Sequence, residues 1–152
     1  MSKNTILLAE DNHDDEVLTV RALNRRLNDV SVIVARNGVE VMEYLCGTGA
    51  YQGRDTTKLP KVLLLDLKMP MMDGLETLKR VRATTHTRFL PVVILTSSDE
   101  QRDQVESYRL GANSYVRKPV RYDQFIESAA RLGTYWLEIN ETPPPQRDTV
   151  SA

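Results

Sequence analysis

The chain has 152 residues, about the size of one domain, with 20 basic and 21 acidic residues and a formal net charge of -1. This length permits a hydrophobic core without disulfides or structural metals, and the near-neutral charge disfavours binding to nucleic acid or to an anionic membrane. No apolar run approaches the roughly 20 residues of a membrane span, and the first residues lack a secretory apolar region. We therefore expect a cytoplasmic protein that has neither a nucleic-acid nor a membrane partner.

Strand-like and helix-like segments alternate five times along the chain. The predicted strands lie near 5–9, 31–35, 61–66, 91–96 and 114–117, and the predicted helices near 14–28, 39–46, 75–84, 99–110 and 121–140. Several of the strands are continuous runs of Val, Leu and Ile, which is typical of parallel strands covered on both faces. Five such units in one domain predict an α/β fold: a doubly wound, five-stranded parallel sheet with helices on both faces.

The first and last helices have clear apolar faces. In the first helix this face is formed by Val17, Val20, Leu23 and Leu27, and either Asn12 or Asp14 could cap the start. A helix over 121–140 would be about 30 Å long, more than a small sheet needs, and a break or kink at Gly133 is the alternative. We place the domain at 1–140 and a flexible, proline-rich tail at 141–152.

The connection 47–60 is long for an α/β protein and begins with several glycines. It follows a helix and precedes a strand, the reverse of the order in a phosphate-binding loop, so a surface insertion is favoured. The single cysteine, Cys46, lies in an apolar periodic stretch and is expected to be a half-buried structural thiol. His13 and His86 lack the spacing of zinc ligands and are expected to be surface imidazoles.

Polar side chains end four of the predicted strands. Glu10 and Asp11 follow the first strand, Asp66 the third, Thr96 ends the fourth and Lys118 follows the fifth. The carboxyl ends of parallel strands form the binding edge of such a sheet, so we expect these side chains to converge. Each residue alone has an ordinary structural reading, as a helix cap, a turn residue or a solvated lysine. Their joint placement is what favours a site.

Three adjacent carboxylates repel one another, and a divalent cation resolves that conflict. Mg²⁺ takes few protein oxygens and keeps waters or phosphate oxygens, which fits Asp11 and Asp66 as direct ligands. Asp66 ends the most apolar strand and is the best candidate for a nucleophile that forms an aspartyl phosphate. Lys118 would then supply a positive charge to the phosphoryl oxygens, and Thr96 a hydroxyl donor.

These residues lie in motifs that resemble the receiver domain of two-component response regulators, over roughly residues 3–132. The matching motifs are Glu10-Asp11, Asp66-Leu67-Lys68-Met69-Pro70-Met71-Met72-Asp73-Gly74, Leu95-Thr96-Ser97 and Lys118-Pro119. The resemblance implies a flavodoxin-like sheet of strand order 2-1-3-4-5. It also implies that the protein is a signalling phosphoacceptor rather than an enzyme with an external substrate.

The resemblance further implies a role for each matching residue. Asp66 would be the phosphoacceptor, and Asp11, Asp66 and the backbone carbonyl of Lys68 would bind Mg²⁺, with Glu10 assisting through a water molecule. Thr96 and Lys118 would hold the phosphoryl group. Tyr115 would be an aromatic switch residue that moves together with Thr96, and the peptide bond before Pro119 would be cis.

The long 47–60 insertion and the extended C-terminal end are similar to those of small regulators paired with cyanobacterial and bacterial phytochrome histidine kinases. In that group the extended last helix supports a homodimer. We expect a homodimer through the 99–140 face, and an intramolecular fold-back of the same apolar surface is the alternative. The candidate dimer residues are Phe125, Tyr135, Trp136, Leu137 and Ile139.

The expected function is therefore phosphoryl transfer from a histidine kinase, of the phytochrome type, onto Asp66 with Mg²⁺, followed by a change in partner binding. A phosphatase or phosphotransferase that forms an aspartyl phosphate usually needs a second carboxylate two residues after the nucleophile, and Lys68 occupies that position. A receiver-like interaction module that is never phosphorylated is the remaining alternative.

Overall fold

The computed structural model describes residues 4–27 and 29–144, which form an α/β domain around one parallel sheet. The strands are β1 (Asn4–Ala9), β2 (Val30–Ala35), β3 (Val62–Leu65), β4 (Val92–Thr96) and β5 (Ser114–Arg117). The helices are α1 (His13–Arg26), α2 (Gly38–Cys46), α3 (Gly74–Ala83), α4 (Gln101–Arg109) and α5 (Tyr122–Thr134). None of the described helices is long and apolar enough to cross a membrane.

The strand order is β2-β1-β3-β4-β5 and every pairing is parallel, which confirms the predicted fold. The chain moves outward from β1 to β2 and then, after returning to β3, outward in the other direction to β4 and β5. The order therefore reverses between β1 and β3. Ligands bind such sheets in the crevice at the carboxyl ends of the two strands that flank this reversal.

The central strands are buried on both faces, and their side chains alternate between two apolar clusters. Leu7 and Leu63 point to the face covered by α2 and α3, where Leu45 and Leu78 meet them. Alternate residues point to the face covered by α1 and α5, in a cluster of Ile6, Leu8, Leu23, Leu27, Val62, Leu64, Val93 and Trp136. This double coverage explains why the strands lack the polar alternation of a half-exposed sheet.

Three helices begin at a side-chain cap close to the sheet edge. Asn12, Asn37 and Asp73 each accept a hydrogen bond from the backbone N–H three residues later, at 3.0, 2.9 and 2.9 Å. The cap of α1 is therefore Asn12 and not Asp14. Because each cap satisfies an otherwise unpaired N–H, the helix starts are well defined where they face the carboxyl ends of the strands.

The last helix does not break at Gly133. It continues to Thr134 and then widens into a π-helical segment, Tyr135–Ile139, so the prediction of one regular helix over 121–140 is wrong in its final turns. A Cβ atom on Gly133 would lie 2.5 Å from Leu23 Cδ2 and 2.7 Å from Leu27 Cδ1. The glycine permits close packing of α5 on α1 rather than interrupting the helix.

The apolar residues of the C-terminal region divide into two groups. Phe125 packs with Ala22 of α1, Trp136 lies in the sheet cluster, and the half-buried Leu137 packs against that cluster. Phe125 and Trp136 are buried within the chain by α1 and the sheet, so they offer little surface to a second subunit. Leu137 is only half-buried, and its assignment to a dimer interface stays a prediction. Tyr135 and Ile139 remain 45% and 62% exposed. The predicted tail lies outside the described residues from 145 onward.

The 47–60 connection is organised by Arg54. Its Nε atom donates to the carbonyl of Tyr44 at 2.7 Å, its Nη1 atom donates to that of Lys58 at 2.9 Å, and the guanidinium lies 3.9 Å from the centre of the Tyr44 ring. Tyr51, in a short 3₁₀ turn, packs edge-on against the same ring. The segment is a surface insertion fastened to α2, as predicted.

The histidine and cysteine predictions have different outcomes. Cys46 is a free thiol and is half-buried, as predicted, and burial raises its pKa. His13 is exposed. His86 is not a simple surface imidazole, because it is half-buried and its Nε2 atom lies 2.8 Å from the carbonyl oxygen of Leu45.

Replacing Gly133 with alanine tests the α1–α5 contact. Alanine favours a helix by about 1 kcal/mol over glycine, yet overpacking of a core costs about 1–3 kcal/mol. Because Leu23 and Leu27 are both buried, we expect Gly133→Ala to lower the free energy of unfolding by about 1 kcal/mol in urea titrations. Arg131→Ala, at an exposed position on the same helix, is the control and should change stability by less than about 0.5 kcal/mol. A stabilised Gly133→Ala protein would show that the contact is looser than described.

Candidate functional site

The polar residues that follow the strands converge at the carboxyl edge of the sheet, as predicted. A cleft of about 340 Å³ opens there, between the ends of β1, β3, β4 and β5. Its lining consists of Asp11, Asn12, Asp15, Asp66, Lys68, Thr96, Ser97, Ser98, Asp99, Glu100 and Lys118. Glu10 lies beneath this lining and contacts Lys118.

Three carboxylates form the acidic part of the site. Glu10, Asp11 and Asp66 each offer one oxygen atom, and these atoms lie within 4.8 Å of one another. Glu10 and Asp66 are buried, whereas Asp11 is exposed to the cleft. The backbone N–H of Leu67 donates to Asp66 Oδ1 at 2.7 Å and restrains that side chain. Hard oxygen ligands, one of them solvent-accessible, fit a divalent cation that retains some of its water.

Close backbone packing fixes the position of Asp66. A Cβ atom on Gly74 would lie 2.2 Å from the carbonyl oxygen of Asp66 and 2.7 Å from the Cα atom of Leu67. The first residue of α3 must therefore be glycine if the helix is to start this close to the strand end. The N–H of Gly74 also donates to the Leu67 carbonyl at 2.8 Å, which holds the loop after β3 against the helix.

Glu10 carries the clearest electrostatic strain in the site. Burial, and secondarily the charge of Asp66, raise its pKa from 4.5 to about 8, although Lys118 opposes this rise. In the metal-free protein Glu10 therefore retains a proton at pH values where an exposed glutamate is ionised. A bound cation would favour the ionised form and relieve this strain.

Lys118 is the buried cation of the site. Its Nζ atom donates to Glu10 Oε1 at 2.6 Å, to Asp15 Oδ2 at 2.8 Å and to Asp66 Oδ2 at 3.1 Å. Burial alone would lower the pKa of this ammonium, but the hydrogen bonds to Asp15 and Glu10 and the charge of Asp66 outweigh that effect and raise it. Lys118 is therefore a permanent positive charge next to Asp66.

Asp15 was not predicted as a site residue. It lies in the first turn of α1, and the tertiary fold brings that turn against Lys118, which is 103 residues away in the sequence. The available signal was its position just after the Asn12 cap, in a helix that begins at the end of β1. An acidic residue in a first turn is also an ordinary stabilising feature of helices, so this signal was weak.

Thr96 and Tyr115 are connected through Ser98. The N–H of Ser98 donates to Thr96 Oγ1 at 3.3 Å, and the Tyr115 hydroxyl donates to the Ser98 carbonyl at 3.1 Å. The Ser98 hydroxyl donates to Asp103 Oδ2 in the first turn of α4 at 2.6 Å. The loop between β4 and α4 thus joins the cleft to Tyr115 on β5 and to α4.

Two further predicted positions have different outcomes. Lys68 is exposed and lines the cleft, so its backbone lies at the predicted edge. The predicted cis peptide bond before Pro119 is wrong, because the described residues contain no cis peptide bond. The trans form of an X–Pro peptide bond is favoured by about 0.5–1 kcal/mol. In this loop the trans peptide bond is present together with the hydrogen bond that the Lys118 N–H donates to the Thr96 carbonyl at 2.7 Å.

Comparison with known proteins identifies the family. The family model described as the response regulator receiver domain matches residues 6–130 of this chain. Response regulator Rcp1 of Synechocystis sp. is 31% identical over 138 residues, which cover 91% of this chain and 92% of Rcp1. Its Mn²⁺-bound crystal structure superimposes with a TM-score of 0.84 at 31% identity, covering 92% of this chain and 99% of that one.

Two other solved structures are similar over most of the chain. The phosphorylated cyanobacterial phytochrome response regulator RcpA has a TM-score of 0.87 at 31% identity, covering 93% of this chain and 99% of RcpA. The bacteriophytochrome response regulator RtBRR is 47% identical with a TM-score of 0.73, covering 95% of this chain and 86% of RtBRR. Together with the family match over residues 6–130, these findings show that the chain belongs to the response regulator receiver domain family.

Proposed function

We propose that this chain is a cytoplasmic phosphoacceptor that receives a phosphoryl group from a histidine kinase on Asp66 and thereby changes its binding to a partner. The position of Asp66 carries this proposal. Its carboxylate lies in an open cleft, 3.1 Å from the ammonium of Lys118, and offers an oxygen within 4.8 Å of oxygens of Glu10 and Asp11. A nucleophile, a fixed cation and a cation-binding carboxylate set are the parts that phosphoryl transfer needs.

In the proposed reaction a carboxylate oxygen of Asp66 attacks the phosphorus of a phosphohistidine. The new O–P bond forms as the P–N bond to the imidazole breaks, and the imidazole keeps the electron pair. Lys118 neutralises part of the charge on the phosphoryl oxygens, and Thr96 donates a hydrogen bond from its hydroxyl. Mg²⁺ bound by Asp11, Asp66 and the Lys68 carbonyl, with Glu10 acting through water, would add neutralising charge and fix the orientation of the phosphoryl group.

Phosphorylation would be transmitted through the loop after β4. A phosphoryl group adds about -1.5 to -2 charge next to Thr96 and attracts its hydroxyl. Ser98 forms hydrogen bonds with both Thr96 and Tyr115. A displacement of this loop would therefore break the hydrogen bond from the Tyr115 hydroxyl to the Ser98 carbonyl and allow the Tyr115 ring to rotate. The face formed by α4, β5 and α5 changes shape as a result.

The proposed kinase is of the phytochrome type. Support comes from relatives whose names state that role: RcpA is a phytochrome response regulator and RtBRR a bacteriophytochrome response regulator. RtBRR is 47% identical to this chain, and the match covers 95% of this chain.

We also propose that residues 1–140 form the receiver unit and that it dimerises through its 99–140 face. Large apolar side chains remain exposed on this face, which is a common feature of interfaces between subunits. They are Val105, Tyr108, Val120, Tyr122, Tyr135 and Ile139, with exposures between 45% and 99%.

Intact-mass measurement after incubation with acetyl phosphate and Mg²⁺ tests the phosphoacceptor directly. We expect wild-type protein to gain one phosphoryl group, and Asp66→Asn and a chelated sample to gain none, because the first lacks the nucleophile and the second lacks the cation. Asp73→Asn, which alters a helix-capping aspartate outside the cleft, is the matched control and should still be modified. Absence of modification in wild-type protein, also with phosphorylated kinases, would favour an interaction module that works without phosphorylation.

The buried Glu10 predicts a pH dependence of stability in the metal-free protein. Its pKa is raised to about 8 in the folded state. The contribution of Glu10 to the free energy of unfolding is therefore fully present below about pH 4.5 and is lost as the pH rises through about 8. We expect Glu10→Gln to reduce the fall in unfolding free energy between pH 5 and pH 8 by on the order of 1–3 kcal/mol, measured in urea with a chelator. The exposed Glu138→Gln should follow wild type; parallel pH profiles of all three proteins would contradict the assignment.

The oligomeric state tests the proposed interface. We expect the double variant Tyr135→Ser and Ile139→Ser to weaken self-association at least about tenfold in sedimentation experiments, since two exposed apolar contacts are removed. Met71→Ser removes an 80% exposed apolar side chain that lies outside the proposed face and should leave association unchanged. Equal dissociation constants for the wild type and the double variant would exclude the π-helical segment from the interface.

A further inference from the structure

Met71, in the loop between β3 and α3, combines a strained backbone with an exposed side chain. Its φ of 68° lies in the left-handed region, which residues that carry a Cβ atom rarely occupy. Met71 is 80% exposed, whereas Met69 is buried and both Met42 and Met72 are half-buried. In the described part of the chain, Met71 therefore carries the methionine sulfur that a solute reaches most easily, and the backbone strain calls for a local reason.

The sulfur of Met71 is the acceptor of a buried amide. Asn37 is only 8% exposed, and its Nδ2 atom donates to Met71 Sδ at 3.5 Å. Asn37 Oδ1 accepts a hydrogen bond from the Glu40 N–H at 2.9 Å, so the orientation of the amide is fixed by the cap of α2. Within residues 4–27 and 29–144, Nδ2 donates to no atom other than this sulfur. A thioether is a weak acceptor, so this buried donor has room for a stronger partner.

This contact joins the loop that follows Asp66 to the start of α2. Next to it, the Gly38 N–H donates to the Met72 carbonyl at 3.0 Å. The loop and the helix are thus connected by one ordinary backbone hydrogen bond and by one weak bond to sulfur. A change in the acceptor strength of Met71 alters the weaker of the two connections.

We propose that Met71 is a modification site, at which a hydroperoxide oxidises the thioether to a sulfoxide whose oxygen then accepts the hydrogen bond from Asn37. A lone pair of the sulfur attacks one oxygen of hydrogen peroxide, the O–O bond breaks as the S–O bond forms, and the second oxygen leaves as water. The sulfur loses two electrons and the peroxide gains them. The product is a polar group that sulfoxide reductases can convert back to the thioether.

The sulfoxide strengthens the connection between the loop and α2. Its oxygen is a stronger acceptor than the sulfur, and the exposed side chain can withdraw far enough to place that oxygen next to Asn37 Nδ2. Cys46 is the other candidate for oxidation among the described residues. It is half-buried, and burial raises the pKa of its thiol, so in mildly acidic solution it stays in the unreactive protonated form.

Peroxide treatment at about pH 5.5, followed by tandem mass spectrometry of peptides, tests the selectivity. We expect Met71 to gain an oxygen at least about fivefold faster than Met42, Met69 and Met72, because these three are covered in the folded protein. In guanidinium-unfolded wild type the four methionines should react at similar rates, which shows that the difference comes from the fold. A folded protein in which Met42, Met69 or Met72 reacts as fast as Met71 would overturn the proposal.

Hydrogen exchange measured by NMR tests the new hydrogen bond. In protein oxidised at Met71, we expect the N–H groups of Gly38 and Glu40 to exchange about three- to tenfold more slowly than in untreated protein, since the start of α2 is held more tightly. Asn37→Asp keeps an oxygen that caps α2 but lacks the amide donor, and Met71→Leu has no sulfur at this position. Neither variant should show the slowing after the same treatment.

Unchanged or faster exchange in oxidised wild type, or equal slowing in either variant, would contradict the role of Asn37. Both readouts are independent of Asp66 phosphorylation, so this inference and the phosphoacceptor proposal are tested separately.

Discussion

Lys118 partly compensates a charge conflict on which the geometry of the whole sheet edge depends. Glu10 and Asp66 are buried side by side, and desolvation together with the charge of Asp66 raises the pKa of Glu10 to about 8 even though the ammonium of Lys118 opposes this rise. The ammonium lies among them and also reaches Asp15 on α1. A single side chain therefore connects the ends of β1, β3 and β5 to the first helix.

The remainder of the fold holds these charges in place. β1 and β3 are covered on both faces by apolar clusters, which hold in place the strand ends that carry Glu10 and Asp66. Gly74 permits α3 to start against the carbonyl of Asp66, and Asn12 fixes the start of α1. A site held by rigid strands and capped helices requires little rearrangement to accept a phosphoryl group, whereas the loop that contains Ser98 connects it to the more exposed face of α4 and β5.

Sequence patterns predicted well those features that depend on local order along the chain. The alternation of apolar runs and helical periods was sufficient for the parallel sheet, and the polar residue after each run marked Asp66, Thr96 and Lys118. Other features of the structure do not follow from local order and were missed or wrongly predicted. The π-helical segment after Thr134 is one example, because the spacing of apolar residues does not distinguish a π-helical segment from a regular helix.

The sequence by itself determined which chemical groups are available at the sheet edge. The polar residue that follows each apolar run is visible in the sequence, and parallel strands place the carboxyl ends of these runs at the same edge of the sheet. Only the tertiary structure decided how those groups are paired. Asp15 meets Lys118 across 103 residues, and Trp136 is buried against the sheet instead of being offered to a second subunit. The burial of Trp136 accompanies the close packing of α5 on α1, where Gly133 lies against Leu23 and Leu27. Contacts of both kinds are set by the shapes and charges of distant segments rather than by any local pattern.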